Sequence, residues 1–128
     1  MLFRSFASGL LFDFDSEVVR GNARSNLNQL ASSLDKYPNT SLLIVGHTDA
    51  VGAAEYNRDL STRRSEAAAH YLTGAGVTRP IATRGLGETE PVATNDTEAG
   101  RQHNRRVEVA IYASEAFARE AQQKAAGH

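Results

Sequence analysis

At 128 residues the chain has the length of one ordinary domain, and 41% hydrophobic with 23% charged residues lies in the globular range, well away from disorder. Fourteen basic against 15 acidic residues leave a formal charge of −1, which gives no field to draw in a polyanion and argues against a nucleic-acid partner. Cysteine is absent, so disulfides and thiolate metal sites are excluded and an oxidising compartment is tolerated.

The apolar start, Leu2-Phe3 and Gly9-Leu10-Leu11-Phe12, is cut by Asp13 and Asp15 too early for a signal peptide or a membrane span. The chain is therefore expected not to insert into a membrane itself, with any anchor of the parent protein supplied from elsewhere. Residues 1–9 read as a lead-in. Leu10, Phe12 and Phe14 alternate with Leu11, Asp13 and Asp15, which predicts a strand over about 10–14.

Ala23, Leu27, Leu30, Ala31 and Leu34 form the stripe of an amphipathic helix, stopped by Tyr37-Pro38-Asn39. Ser41 to Val45 reads as a short strand buried on both faces, followed by a turn with His47, Thr48, Asp49 and Gly52. A second helix is predicted from Leu60 to Thr73, with Gly74 and Gly76 as left-handed caps. Ile81 to Gly85 gives a short strand. The stretch to Asn104 is mostly loop with one helical turn near 97–102, and Val107, Val109 and Ile111 alternate as a last strand. The alanine-rich tail, 113–128, reads as a fraying helix capped by Ser114. The order strand, helix, strand, helix, strand, strand implies an α/β two-layer sandwich with helices on a small mixed sheet.

Stepping the second helix at about 100° per residue places Arg64 in the middle of its apolar stripe, with Leu60, Ala67, Ala68 and Tyr71 around it. Arg63, Glu66 and His70 fall on the solvated side. An inward guanidinium cannot lose its proton, so it must be paired or left where an anion can reach it. Asp49, at the end of a buried strand, is the nearest sensible partner. If Ser61 caps the helix, Arg64 instead lies in a first turn whose free N–H groups favour an anion. A structural Asp–Arg pair at a helix start is the bland alternative to both.

Gly46-His47-Thr48-Asp49, followed by Gly52, Asn57, Leu60-Ser61 and Arg64, resembles the signature of the OmpA-like, peptidoglycan-associated family. Phe12-Asp13, Gly85-Leu86-Gly87-Glu88, Pro91, Asn95, Gly100-Arg101 and Asn104-Arg105-Arg106-Val107 extend the resemblance over residues 10–112. It implies an OmpA-like βαβαββ domain that binds the meso-diaminopimelate of the peptidoglycan stem peptide without cleaving it. Asp49 would hold the ammonium of that amino acid and Arg64 its carboxylate. By the same resemblance Asn57 bonds the ligand, Thr48 and Leu60 shape the cleft, and Asp13 to Asp15 supply backbone donors. Arg106 approaches from the last strand, or Arg105 if the register shifts by one. For Asn57 the competing reading is a loop-stabilising amide. Ser65 departs from the family's usual Ala after the clamp arginine, at the edge of the buried face. The expected location is the periplasm and cell envelope, with a parent associated with the outer membrane. Oligomeric state is open, a homodimer included.

Other chemistries fit less well. The four histidines, 47, 70, 103 and 128, lack the spacing of zinc motifs, and His47 reads as a turn residue that bonds locally. Gly85-x-Gly87 lacks the third glycine of a dinucleotide site, so no cofactor is expected. For a muramidase, Asp13 and Asp15 are the only close carboxylate pair near the expected pocket, and one of them is expected to point away from it if 10–14 is a strand. The runner-up is an envelope interaction module that keeps the fold but binds a protein instead of the wall.

Overall fold

The computed structural model describes residues 2–12, 16, 18–37 and 39–113. The elements are β1 (Leu2–Ala7), α1 (Ser8–Leu11), α2 (Arg24–Leu34, entered through a 3-10 turn at Gly21–Ala23), β2 (Thr40–His47), α3 (Ala54–Gly74), β3 (Ile81–Gly87), α4 (Glu98–Asn104) and β4 (Arg106–Ala113). The predicted tail helix lies outside the described residues.

The strands form one mixed sheet in the order β1-β4-β2-β3, in which β2 and β3 are parallel and the other neighbours antiparallel. This is the expected two-layer arrangement. Leu42 and Ile44 of β2, Val107, Val109 and Ile111 of β4, and Phe6 of β1 share one core with Leu27, Leu30 and Leu34 of α2 and Ala68 and Leu72 of α3. Leu43 and Val45 point to the other side and are only half-buried, so β2 is not covered on both faces as its apolar run implied.

Three boundaries differ from expectation. Residues 2–7, taken as a lead-in, are an edge strand paired to β4 from Leu2↔Ile111 to Ala7↔Arg106. The strand predicted at 10–14 is not formed at its start: Leu10 and Leu11 end α1, and Phe12 makes an isolated bridge to Val19. Phe6, Leu11 and Phe12 are all buried, so the apolar spacing reflected a helical turn plus one bridged residue.

The third is the start of α3, at Ala54 rather than near Leu60. Ser61 is therefore in the helix interior, where its hydroxyl donates to the Arg58 carbonyl (2.8 Å) and accepts from Gly87 N (3.0 Å). Arg64 is not in the first turn, and the anion argument from free N–H groups does not apply to it. At the other end only one of the two glycines expected as left-handed caps is one: Gly74 is the last residue of α3 and lacks a positive φ. Gly76 has φ +101°, Gly76 N bonds Thr73 O and Val77 N bonds Leu72 O, the paired bonds of a Schellman cap with Val77 and Leu72 in the core.

Two glycines set how closely α3 lies on the sheet. A Cβ on Gly46 would stand 2.2 Å from the Ser61 carbonyl oxygen, and one on Gly85 would stand 2.1 Å from Thr62 Oγ1. Helix backbone meets strand backbone at these points. That contact carries the N-terminal half of α3 to the end of β2, where Thr48 and Asp49 follow.

Candidate functional site

The pairings Ala7↔Arg106 and His47↔Arg106 bring the end of β1, the end of β2 and the start of β4 to one end of the sheet. A cleft of about 650 Å³ opens there, lined among others by Phe12, Thr48, Asp49, Tyr56, Asn57, Leu60, Arg64, Glu98, Arg101 and Arg105. Ligands of open α/β sheets commonly sit beyond strand ends of this kind.

Arg64 is 6% exposed, inward as the helical wheel requires. Its Nε donates to the Ser16 carbonyl at 2.9 Å, and its Cζ lies 5.2 Å from the Phe12 ring centroid, so a carbonyl and an aromatic face both orient the guanidinium. Residues 12 and 16 thus both touch Arg64. Asp13 and Asp15, expected to contribute between them, lie outside the described residues.

Asp49 is 8% exposed. Its Oδ1 accepts from Val51 N at 3.0 Å, an Asx turn that fixes the carboxylate, and its Oδ2 accepts from Arg105 Nη1 at 2.5 Å. Among the described residues the arginine paired with Asp49 is therefore Arg105, not Arg64, and Asp49 and Arg64 are positioned separately on the cleft wall.

Asn57 donates to Val51 O at 2.9 Å and more weakly to Asp49 O at 3.4 Å, so its amide braces the 49–51 turn while lining the cleft. Thr48 N is held by Gly87 O at 2.8 Å and its hydroxyl by Asp49 O at 2.8 Å. Leu60 supplies an apolar wall.

Arg106 does not reach the cleft. Its pairing with His47 puts it on the sheet face away from the helices, where Nε donates to Glu108 Oε2 (2.6 Å) and Nη2 to Glu90 O (3.0 Å). Arg105, one position earlier, takes the cleft-facing role, because one step along an extended chain reverses the side chain's direction. It bridges Asp49 and Glu98, the latter at 2.5 Å through Nη2. Burial works against the charge on Arg105, but its bonds to Glu98 and Asp49 outweigh burial and raise its pKa.

His47 is no turn residue. It ends β2 at 3% exposure, and neither ring nitrogen has a hydrogen-bond partner, although Nε2 lies 3.2 Å from Glu108 Oε1. The contact is a close approach without hydrogen-bond geometry, and it becomes an ion pair only when the imidazole is protonated. Burial, then the nearby Arg106 charge, lower its pKa below 6.5 against the opposing pull of Glu108.

Ser65 is fully buried rather than at an edge, and its hydroxyl is satisfied by the Thr62 carbonyl at 2.8 Å. Glu98 and Tyr56 are cleft residues that the sequence reading did not single out, their only signal being proximity to Gly100-Arg101 and Asn57; Arg101 was read only as part of that motif and not as a site residue. Asn104, fully buried, accepts from Val92 N and Ala93 N and donates to Asn95 Oδ1, which also accepts from Ala50 N at 3.3 Å, linking the long loop to the Asp49 turn. Among the described residues no group of His, Asp and Glu is placed to hold a metal ion, and no helix is long and apolar enough to cross a membrane.

The sequence profile of the OmpA family matches residues 11–105. The chain is 44% identical over 103 residues to outer membrane porin F of Pseudomonas fluorescens, covering 80% of this chain and 32% of that protein, less than two-thirds of its length. The structure resembles the peptidoglycan-associated lipoprotein of Burkholderia pseudomallei with a TM-score of 0.73 at 36% identity, covering 84% of this chain and 89% of that one. It also resembles the cell wall anchor of the T6SS from Pseudomonas aeruginosa, with a TM-score of 0.77 at 32% identity over 87% of this chain and 80% of that one.

Proposed function

Because the chain belongs to the OmpA family, we propose that it is a non-catalytic module that binds peptidoglycan through the meso-diaminopimelate of the stem peptide and so anchors an envelope protein to the cell wall. The names of two relatives, a peptidoglycan-associated lipoprotein and a cell wall anchor, support the coarser part of this reading. The observation that carries the finer part is one cleft with a fixed carboxylate, Asp49, and a buried, oriented guanidinium, Arg64, on its walls.

The free end of diaminopimelate bears an ammonium and a carboxylate on one carbon. Arg64 receives the carboxylate and Asp49 the ammonium. An ionised carboxylate has lone pairs to spare beyond those used by Val51 N and Arg105. Leu60 and Phe12 keep water from the apolar stem of the ligand. Each charge-assisted hydrogen bond contributes about 1.5–3 kcal/mol before the cost of ordering the ligand, so one stem peptide binds modestly and firm anchoring comes from many domains on one polymer. The reading places the domain in the periplasm, within a parent protein held at the outer membrane.

The test is co-sedimentation with purified sacculi. The wild type is retained and is released by free meso-diaminopimelate, whereas Asp49→Ala and Arg64→Ala are not retained. Equal retention of all three proteins would defeat the proposal and favour an interaction module, and digestion of the sacculi would favour a muramidase.

A further inference from the structure

The two carboxylates on Arg105 are unlike each other. The Asp49 side chain is 12% exposed and also bonded to backbone, whereas that of Glu98 is 66% exposed at the start of α4. The second Glu98 oxygen rests on Arg101 Nε at a long 3.3 Å. An ion pair this exposed contributes little to stability, because water and side-chain freedom compete with it. The hydrogen bond from Arg105 holds the Glu98 carboxyl below the usual carboxylate range, so at neutral pH it sits on the arginine as an anion.

Arg105 lines the cleft together with Glu98, and this exposed partner is one that a carboxylate entering the cleft can displace from the guanidinium.

We infer that Arg105 is a second carboxylate subsite, occupied in the free protein by Glu98, and that a further carboxylate of the same peptide replaces Glu98 there on binding. This rests on the peptidoglycan reading above and names what the cleft recognises beyond the diaminopimelate head. Glu98 then acts as a tethered competitor that admits a peptide bearing two carboxylates in preference to one bearing a single carboxylate. In a stem peptide two groups have this chemistry, the α-carboxylate of the γ-linked glutamyl residue and the carboxylate that ends the peptide.

Calorimetric titration of the whole chain with three synthetic tripeptides, L-alanyl-γ-D-glutamyl-meso-diaminopimelate with both groups free, with the glutamyl carboxyl amidated, or with the terminal carboxyl amidated, tests the inference and separates the two sources. One amidation weakens wild-type binding about five- to tenfold, the scale of a lost charge-assisted pair at a partly exposed site. Glu98→Gln tightens the peptides that keep that carboxylate about two- to threefold and leaves the other unchanged, while Arg105→Gln abolishes the preference. If all three peptides bind the wild type within about twofold of one another, or Glu98→Gln shifts all three alike, the second subsite is refuted. If none binds the wild type, the peptidoglycan reading itself falls.

Discussion

Asp49 Oδ2 accepts a hydrogen bond of 2.5 Å from Nη1 of Arg105, joining the turn after β2 to the residue that precedes β4. The carboxylate proposed to hold a ligand ammonium is thereby fixed by a cation from the link between α4 and β4. The neighbouring arginine, Arg106, serves the opposite face of the sheet.

Replacing the two arginines separates these roles. Arg106→Ala leaves Glu108 and the Glu90 carbonyl without their donor at a site 7% exposed, and it is expected to cost about 2–3 kcal/mol of stability. Arg105→Ala, with a side chain 32% exposed, is expected to cost no more than about 1 kcal/mol yet to weaken retention on sacculi. Urea denaturation of both variants beside the sedimentation assay checks the split. The reverse pattern would restore Arg106 to the site.

Gly46→Ala forces a methyl group into the Ser61 carbonyl, and backbone cannot step aside as a flexible side chain would. A stability loss of about 1–3 kcal/mol or more is expected, together with loss of wall binding, because α3 must lift from β2 and carry Arg64 with it. Gly74→Ala is the control: a Cβ there meets nothing within 4 Å, so the change is neutral or stabilising by up to about 1 kcal/mol. Denaturation midpoints of the two variants test the contrast.

Ser65→Ala removes a hydroxyl that bonds the carbonyl three residues back, a bond that competes with the helix's own ladder. Stability within about 1 kcal/mol of the wild type and unchanged binding are expected. A fall of several kcal/mol would mean that the Ser65 hydroxyl has a role in packing that this geometry does not contain.

His47 sets the sign of one pH effect. Burial and Arg106 hold its folded pKa below 6.5, so the unfolded chain binds the proton more readily. The stability tied to neutral His47 is fully present above about pH 6.5 and is lost as pH falls through that window toward the folded value. The stability of His47→Gln should therefore decline less between pH 7.5 and pH 5, measured by urea midpoints with Glu90 and Glu108 intact. A steeper decline in the variant would show that the Glu108 attraction wins instead.

Much of this was legible in the sequence where burial was one-sided. The stripes of α2 and the later part of α3 gave their core faces, and the same stripe turned Arg64 inward. Residues 54–59 escaped because Glu55, Tyr56, Arg58 and Asp59 are exposed and only Asn57 is buried, leaving no apolar period to read. β1 escaped for a similar reason: as an edge strand it commits Phe6 to the core while Arg4, Ser5 and Ala7 stay exposed. The choice between Arg105 and Arg106 depends on the Arg106↔His47 register, a long-range pairing that local pattern does not encode. Glu98 entered the cleft by tertiary placement alone.

The contact of Gly46 and Gly85 with the backbone of α3 also divides what can drift from what cannot. The span between the two opposed charges is measured out by main chain, like marks cut on a ruler, while Tyr56, Glu98 and Arg101 stand outside that measurement. On the proposed function, exchanging those three is expected to change which polymer segments are gripped, and how hard, without recalibrating the gauge itself.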